Sequence, residues 1–204
     1  MKKAAIIIND QISEFKIDDY DLIIGVEKGS IFVYNLETNK QKYFISDFDS
    51  VSDDFKGKIL TLENTIILNH ETKRWSDGEE AILLAIDKGY AGEDIDIYVN
   101  TLGREDHFIN MIMILRKYGS RMISNKSRFI ILEPNKDYQI NRDEYSFVSL
   151  VFFKQTKVKT KGLKWEIDRG YDVSTGTNCI SNEAKANLFS IRVDQKVLLT
   201  QTND

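Results

Sequence analysis

Two aspartates one residue apart stand in the segment Ser46-Asp47-Phe48-Asp49-Ser50, directly after the apolar run Tyr43-Phe44-Ile45. If the strand continues, their carboxylates share a face; if the chain turns, they can converge. Neighbouring carboxylates repel, and a divalent cation would neutralise them. Mg²⁺ takes oxygen ligands and keeps several waters, so one or two carboxylates plus substrate phosphates make a site. A polar loop after a buried strand is the competing reading of this D-x-D pattern taken alone. Asp77 follows Ser76 at the start of a helical pattern, where an acid complements the helix dipole. Brought beside Asp47 and Asp49 by a neighbouring strand, it becomes a third metal ligand. A second chemical cluster is Gly103-Arg104-Glu105-Asp106-His107, where a strand pattern gives way to a helical one. Such a turn offers free amides to a phosphate, and Arg104 adds a bidentate contact. Asn110 lies one helical turn after His107. A lone histidine is more often structural than functional.

The elements that position these residues come in two textures. Ala4 to Asn9, Asp21 to Glu27, Tyr43 to Ile45, Thr65 to Leu68 and Ile95 to Val99 read as short buried strands. A helix is predicted from Ser76, whose spacing to Glu79 is that of a capping box, to Gly89. Another is predicted from about Glu105 to Tyr118, with Phe108, Ile109, Ile112 and Leu115 on its apolar face. Alternating strands and helices point to an open α/β sheet, whose ligands sit at the carboxyl ends of the strands. The later sequence reads as β: Phe147 to Phe153, Lys157 to Ile167, Asn187 to Val193 and Lys196 to Thr200. Asp194-Gln195 between the last two suggests a tight hairpin. The change of texture divides the chain into residues 1–122 and 123–204, with Pro134 in a turn of the second part.

Composition narrows the function classes. The formal net charge of −4 argues against a nucleic-acid or anionic-membrane partner. Cys179 is the single cysteine and His70 and His107 are the only histidines, which rules out an intrachain disulfide and a Cys/His zinc site. No run approaches the roughly 18 apolar residues of a membrane span, and the apolar run near the N-terminus is too short for a signal peptide. A cytoplasmic protein is the expectation.

Four blocks in order resemble the thiamine pyrophosphokinase family. Asp47-Phe48-Asp49-Ser50 is similar to its G-D-F-D-S, and Lys73-Arg74-Trp75-Ser76-Asp77-Gly78-Glu79-Glu80-Ala81 to K-D-x-T-D-x-E-x-A. Leu102-Gly103-Arg104-Glu105-Asp106-His107-Phe108-Ile109-Asn110 is similar to G-G-R-x-D-H-x-x-N. Gly162-Leu163-Lys164-Trp165 and Ser181-Asn182-Glu183 are similar to G-L-K-[YW] and S-N-[ET]. The resemblance implies an N-terminal three-layer α/β catalytic domain, Rossmann-like with a mostly parallel sheet, and a C-terminal β-sandwich or barrel-like domain. It implies transfer of diphosphate from ATP to thiamine in a homodimer, with thiamine between the catalytic domain of one subunit and the β domain of the other. Asp47, Asp49 and Asp77 would be catalytic and hold Mg²⁺. Arg104, Asp106, His107 and Asn110 would shape the ATP side. Ser50, Lys73 and Glu27 belong to the ligand-binding set, and Ser181 and Asn182 to the thiamine site. Trp165 is read as a half-buried aromatic on a strand. The chain departs from the family at Glu27-Lys28-Gly29, where D-G-G is usual, and at Arg74 and Leu102. Two other readings are a non-catalytic thiamine or nucleotide binder and a haloacid-dehalogenase-like phosphatase with Asp47 as nucleophile.

Overall fold

The computed structural model describes residues 2–9, 12, 15–69, 71–72, 74–100, 104–171 and 179–204. It divides into two units, Met1–Ile114 with Met122–Asn125, and Leu115–Arg121 with Lys126–Asp204. In the first unit, strands β1 (Ala4–Ile7), β2 (Leu22–Val26), β3 (Gln41–Ser46), β4 (Thr65–Ile67), β5 (Ile95–Tyr98) and β6 (Arg121–Ile123) lie in the order β4-β3-β2-β1-β5-β6. β1 pairs in parallel with β2 and β5, β2 with β3, and β3 with β4. The carboxyl ends of these five strands therefore share one edge.

Every residue of β1 and β2 is buried, so both faces of the sheet are covered. Alternate residues show by what. Ala5, Ile7 and Ile23 join one cluster with Val33 of α1 (Gly29–Asn35) and Ile59 of α2 (Asp53–Ile59). On the opposite face, α3 (Asp77–Asp87) packs on β1, β2 and β3. A side chain at Gly78 of α3 would meet Ile8 at 3.3 Å and Met111 of α4 (Glu105–Tyr118) at 3.4 Å. Helix, sheet and helix make the three layers expected of this part.

The helix signals hold locally. Ser76 caps α3, its hydroxyl accepting from the Glu79 amide at 3.4 Å, and Gly89 beyond the helix has φ +92°. The apolar face of α4 is corrected. Met111, Ile114 and Leu115 are buried, whereas Ile109 is 64% exposed. A 3.6-residue period aligns 108, 111, 112 and 115, and leaves 109 about 100° off that stripe. The helices α1 and α2 had no prediction; each is seven residues long, too short to show an amphipathic repeat.

A buried polar cluster ties the chain before β2 to β5. Asp96 is 1% exposed and accepts from the Tyr20 hydroxyl at 2.8 Å, which also lies 2.7 Å from the Tyr98 hydroxyl. Phe15 stacks on Tyr20. Burial, the Asp96 charge and the Tyr98 hydrogen bond all push the Tyr20 hydroxyl to a higher pKa, so Tyr20 stays protonated and able to donate.

In the second unit, β7 (Ser127–Leu132), β13 (Val197–Thr202) and β9 (Phe147–Phe152) are antiparallel neighbours in the order β7-β13-β9. A second antiparallel sheet runs β11-β10-β12-β8, from β11 (Asp168–Tyr171), β10 (Thr156–Lys161), β12 (Leu188–Val193) and β8 (Asp137–Asn141). Leu132, Leu150 and Leu199 of the first sheet share one core with Ile140, Val158, Phe189 and Ile191 of the second. That is a sandwich, as expected. Pro134 lies in the turn between β7 and β8.

Two strand expectations here are corrected. β12 and β13 do not pair as a hairpin; each enters a different sheet. Asp194 instead anchors to β10, accepting from the Lys157 amide at 2.7 Å. The strand predicted over Lys157 to Ile167 stops at Lys161. Gly162 turns the chain at φ +95°, and Glu166 accepts from the Gly162 amide at 2.7 Å and the Thr160 hydroxyl at 2.8 Å. Trp165 therefore sits in a loop, 55% exposed, and is not a half-buried strand residue.

Among the described glycines of the first unit, Gly29 makes the closest approach. A Cβ there would lie 1.9 Å from the Ile7 carbonyl oxygen, whereas one at Gly57 in α2 meets nothing within 4 Å. Gly29→Ala is expected to destabilise by at least about 2–3 kcal/mol through overpacking. Gly57→Ala should stabilise by roughly 0.5–1 kcal/mol. Urea denaturation of both variants checks the pair; equal effects would contradict the close approach at Gly29.

Candidate active site

The strand order changes direction between β1 and β5, and an open α/β sheet has its crevice at such a point. The loops after these strands are joined there: Asn9 Oδ1 accepts from the Asn100 amide at 2.6 Å. A cavity of about 520 Å³ opens at this edge. Ile8 and Asn9 line it after β1, Val26 and Glu27 after β2, and Val99 and Asn100 after β5. Ser76, Asp77 and Gly78 come from the start of α3, and Arg104, His107, Phe108, Asn110 and Met111 from α4 and the residue before it.

Carboxylates gather at its rim. One oxygen from each of Glu27, Asp47 and Asp77 lies within 4.8 Å of the others. The strand ends explain the gathering. β2 and β3 are parallel neighbours with Val26 opposite Ile45, so Glu27 leaves the sheet beside Ser46, one residue before Asp47. Glu27 and Phe48 adopt left-handed backbone, φ +49° and +57°, which turns the chain sharply at both ends. Phe48 is buried, in one cluster with Val33 and Ile59, and its anchored ring sends Asp47 and Asp49 to different surroundings. Asp47 is 7% exposed, while Asp49 is exposed and lies outside the trio. The Asp49 amide donates to Asp47 Oδ1 at 3.4 Å.

Hydroxyls bind the trio together. Ser46 Oγ donates to Glu27 Oε1, lies 3.2 Å from Asp77 Oδ2 and accepts from the Phe48 amide at 3.1 Å. Ser50 Oγ donates to Glu27 Oε2. The Lys56 ammonium donates to the Asp47 carbonyl at 3.1 Å. Burial, and then the hydrogen bond to Asp77, push the Glu27 carboxyl up to about 8, against the opposing pull of Ser50. Three oxygen donors this close suit a hard divalent cation such as Mg²⁺, whose charge would remove the repulsion.

Two family models match in tandem. That of the thiamin pyrophosphokinase catalytic domain covers residues 15–127, and that of the vitamin B1 binding domain covers residues 137–198. The chain belongs to the thiamin pyrophosphokinase family. Membership makes it a transferase, a thiamine diphosphokinase. Solved structures share the fold. Thiamine pyrophosphokinase from Bacillus subtilis matches with TM-score 0.82 at 22% identity, over 100% of both chains. A thiamin pyrophosphokinase family protein from Enterococcus faecalis matches with TM-score 0.85 at 17% identity, also over 100% of both. Thiamin pyrophosphokinase from Candida albicans matches with TM-score 0.74 at 16% identity, over 100% of this chain and 89% of that one. No curated protein matches by sequence.

Against this family background the predicted residues separate. Asp47 and Asp77 come together and Glu27 joins them, while Asp49 is exposed beside Asp47, its amide donating to Asp47 Oδ1. Sequence reasoning assigned Glu27 to ligand binding and gave Ser46 no role; a polar residue closing an apolar strand was the available signal. Arg104, His107 and Asn110 line the cavity. Asp106 instead holds the Arg104 guanidinium, at 2.9 and 2.7 Å, and that hydrogen bond keeps its carboxyl well below the usual range. In the second unit, Asn182 is buried. Its side chain accepts from the Trp165 amide at 3.1 Å and donates to the Trp165 carbonyl at 2.8 Å. Ser181 is exposed, with φ +55°. Lys28 and Arg74 are exposed. Lys73, Leu102, Gly103 and His70 lie outside the described residues.

A carboxyl raised from 4.5 to about 8 binds its proton more tightly in the folded chain. Its contribution to stability is therefore complete below about pH 4.5 and is lost as pH rises through about 8. In chelator, Tm is expected to fall by a few degrees more between pH 5 and 8.5 for the native chain than for Glu27→Gln. Calorimetry across that range checks it. Parallel profiles for the two proteins would remove Glu27 as the source.

Proposed function

We propose that this chain transfers the diphosphate of ATP to thiamine at the α/β cavity, giving thiamine diphosphate and AMP. The observation that carries the reading is the carboxylate trio Glu27, Asp47 and Asp77, two of which, Glu27 and Asp77, line a cavity with Arg104, His107 and Asn110. Asp47, Asp77 and Glu27 would hold Mg²⁺, with Asp49 beside them as the family resemblance implies. Mg²⁺, when bound, supplies charge neutralisation to the polyphosphate. Arg104 offers a planar donor fork to phosphate oxygens, which it reaches by exchanging Asp106 for the ligand. His107 and Asn110 orient the nucleotide from the first turns of α4. Ser50 and Lys73 complete the ligand-binding set, and Ser181 and Asn182 of the second unit contribute to thiamine binding in a homodimer. On this reading the chain works in the cytoplasm. Among the described residues, no helix is long and apolar enough to cross a membrane.

In the transfer, the hydroxyl oxygen of thiamine bonds to the β-phosphorus of ATP. The bond from that phosphorus to the oxygen bridging the α-phosphate breaks, and AMP leaves with the electron pair. The hydroxyl proton passes to a carboxylate of the site. Positioning and charge stabilisation carry such chemistry with little covalent help from protein. The phosphatase reading of Asp47 is not favoured, since both family models are those of the kinase.

Purified protein with ATP, Mg²⁺ and thiamine should release AMP and thiamine diphosphate in equal amounts. Asp77→Asn is expected to lower kcat/KM by about 100-fold or more, and Asp49→Asn to lose most turnover, with both variants folded. Near-native turnover in Asp77→Asn would sink the metal assignment. Sedimentation velocity checks the homodimer.

A further inference from the structure

We infer that Ser46 is a positioning residue, whose single hydroxyl sets the spacing of Glu27 and Asp77 and thereby the strength of divalent-cation binding. The inference rests on the cation reading of the trio given above, and concerns a residue that touches neither ligand nor reacting atoms in that reading.

Ser46 is the last residue of β3 and is fully buried. Its hydroxyl stands where three elements meet. It donates to Glu27 Oε1, at the end of β2, and lies 3.2 Å from Asp77 Oδ2, at the start of α3. It also accepts from the Phe48 amide at 3.1 Å, inside the left-handed turn that aims Asp47. One hydroxyl carries one hydrogen and two lone pairs. The Phe48 amide takes one lone pair permanently. The hydroxyl's contacts with Glu27 Oε1 and, at 3.2 Å, with Asp77 Oδ2 therefore fix how far apart these two carboxylates stand.

Glu27 makes this bracing necessary. Its side chain has one more rotatable bond than an aspartate, and its two oxygens are held separately, Oε1 by Ser46 and Oε2 by Ser50. Ser50 is exposed, whereas Ser46 is closed off from solvent. Water can replace the first hydroxyl but not the second. Removing Ser46 Oγ therefore frees Glu27 to swing, and leaves the buried Phe48 amide without its acceptor. Residues that orient metal ligands in this way change affinity by about 10–100-fold when lost.

The test is Mn²⁺ binding to the full chain without nucleotide, followed by electron paramagnetic resonance. Ser46→Ala is expected to raise the Mn²⁺ dissociation constant by about 10-fold or more, and Ser46→Thr, which keeps the hydroxyl, to restore much of the loss. In turnover, Ser46→Ala should need a higher Mg²⁺ concentration for half-maximal rate, with kcat at saturating Mg²⁺ less affected. A folded Ser46→Ala with native Mn²⁺ affinity overturns the inference. If Ser46→Ala does not fold, Ser46→Cys takes its place, since a thiol keeps the volume but donates weakly; native affinity there overturns it equally. Asp77→Asn serves as the control for the underlying reading. If Asp77→Asn also binds Mn²⁺ normally, the cation site itself is wrong. If Asp77→Asn loses binding and Ser46→Ala does not, only the role of Ser46 fails.

Discussion

Repulsion between carboxylates that the fold forces together is the constraint around which the first unit is arranged. Parallel pairing of β1, β2, β3 and β5 delivers their carboxyl ends to one edge. The chain then turns through left-handed backbone at Glu27 and Phe48, so the acids project over that edge. Asp77 arrives from the other side, at the capped start of α3. The oxygens end within 4.8 Å of one another. Nothing in hydrophobic burial rewards that proximity. The sheet, the glycine contact of Gly29 against β1 and the anchored Phe48 ring hold the acids in place from behind, which is how a packed core sustains a locally unfavourable site.

The second unit solves a different problem. Two antiparallel sheets must share one core, and the chain passes between them at Asp194, from β12 in one to β13 in the other. The Lys157 amide fixes Asp194 at this passage. Around Gly162, one carboxylate (Glu166) and one buried amide side chain (Asn182) take up the hydrogen bonds that the interrupted strand leaves open. The exposed Trp165 rests on that scaffold. Its backbone amide and carbonyl are both bonded to Asn182, so its exposure goes with a loop held by hydrogen bonds.

Much of this was legible locally. The strands β1 and β2 are runs of apolar residues, and the Ser76–Glu79 spacing and Gly89 bracket α3, because caps and buried strands depend on residues close in sequence. The short helices α1 and α2 left no readable period. The face of α4 was misread at Ile109, since four apolar residues in eight fit more than one stripe. Asp96 was invisible as a core residue. An aspartate between two isoleucines is explained only by the Tyr20 hydroxyl, which comes from 76 positions earlier in the chain.

By itself, the sequence determined the order of elements, the two-part texture and the ordered acidic and Gly-Arg motifs that resemble one family. Those depend on periodicity and on neighbours a few residues apart. Only the tertiary structure decided which acids meet. Asp47 and Asp49 are two residues apart, yet Asp47 is buried and groups with Glu27 and Asp77 while Asp49 is exposed and outside that group. It likewise decided that β12 and β13 part company after a short turn. In both cases the physical reason is the same. Strand neighbours are chosen by burial across the whole sheet, and proximity in sequence does not constrain which side chains share an edge.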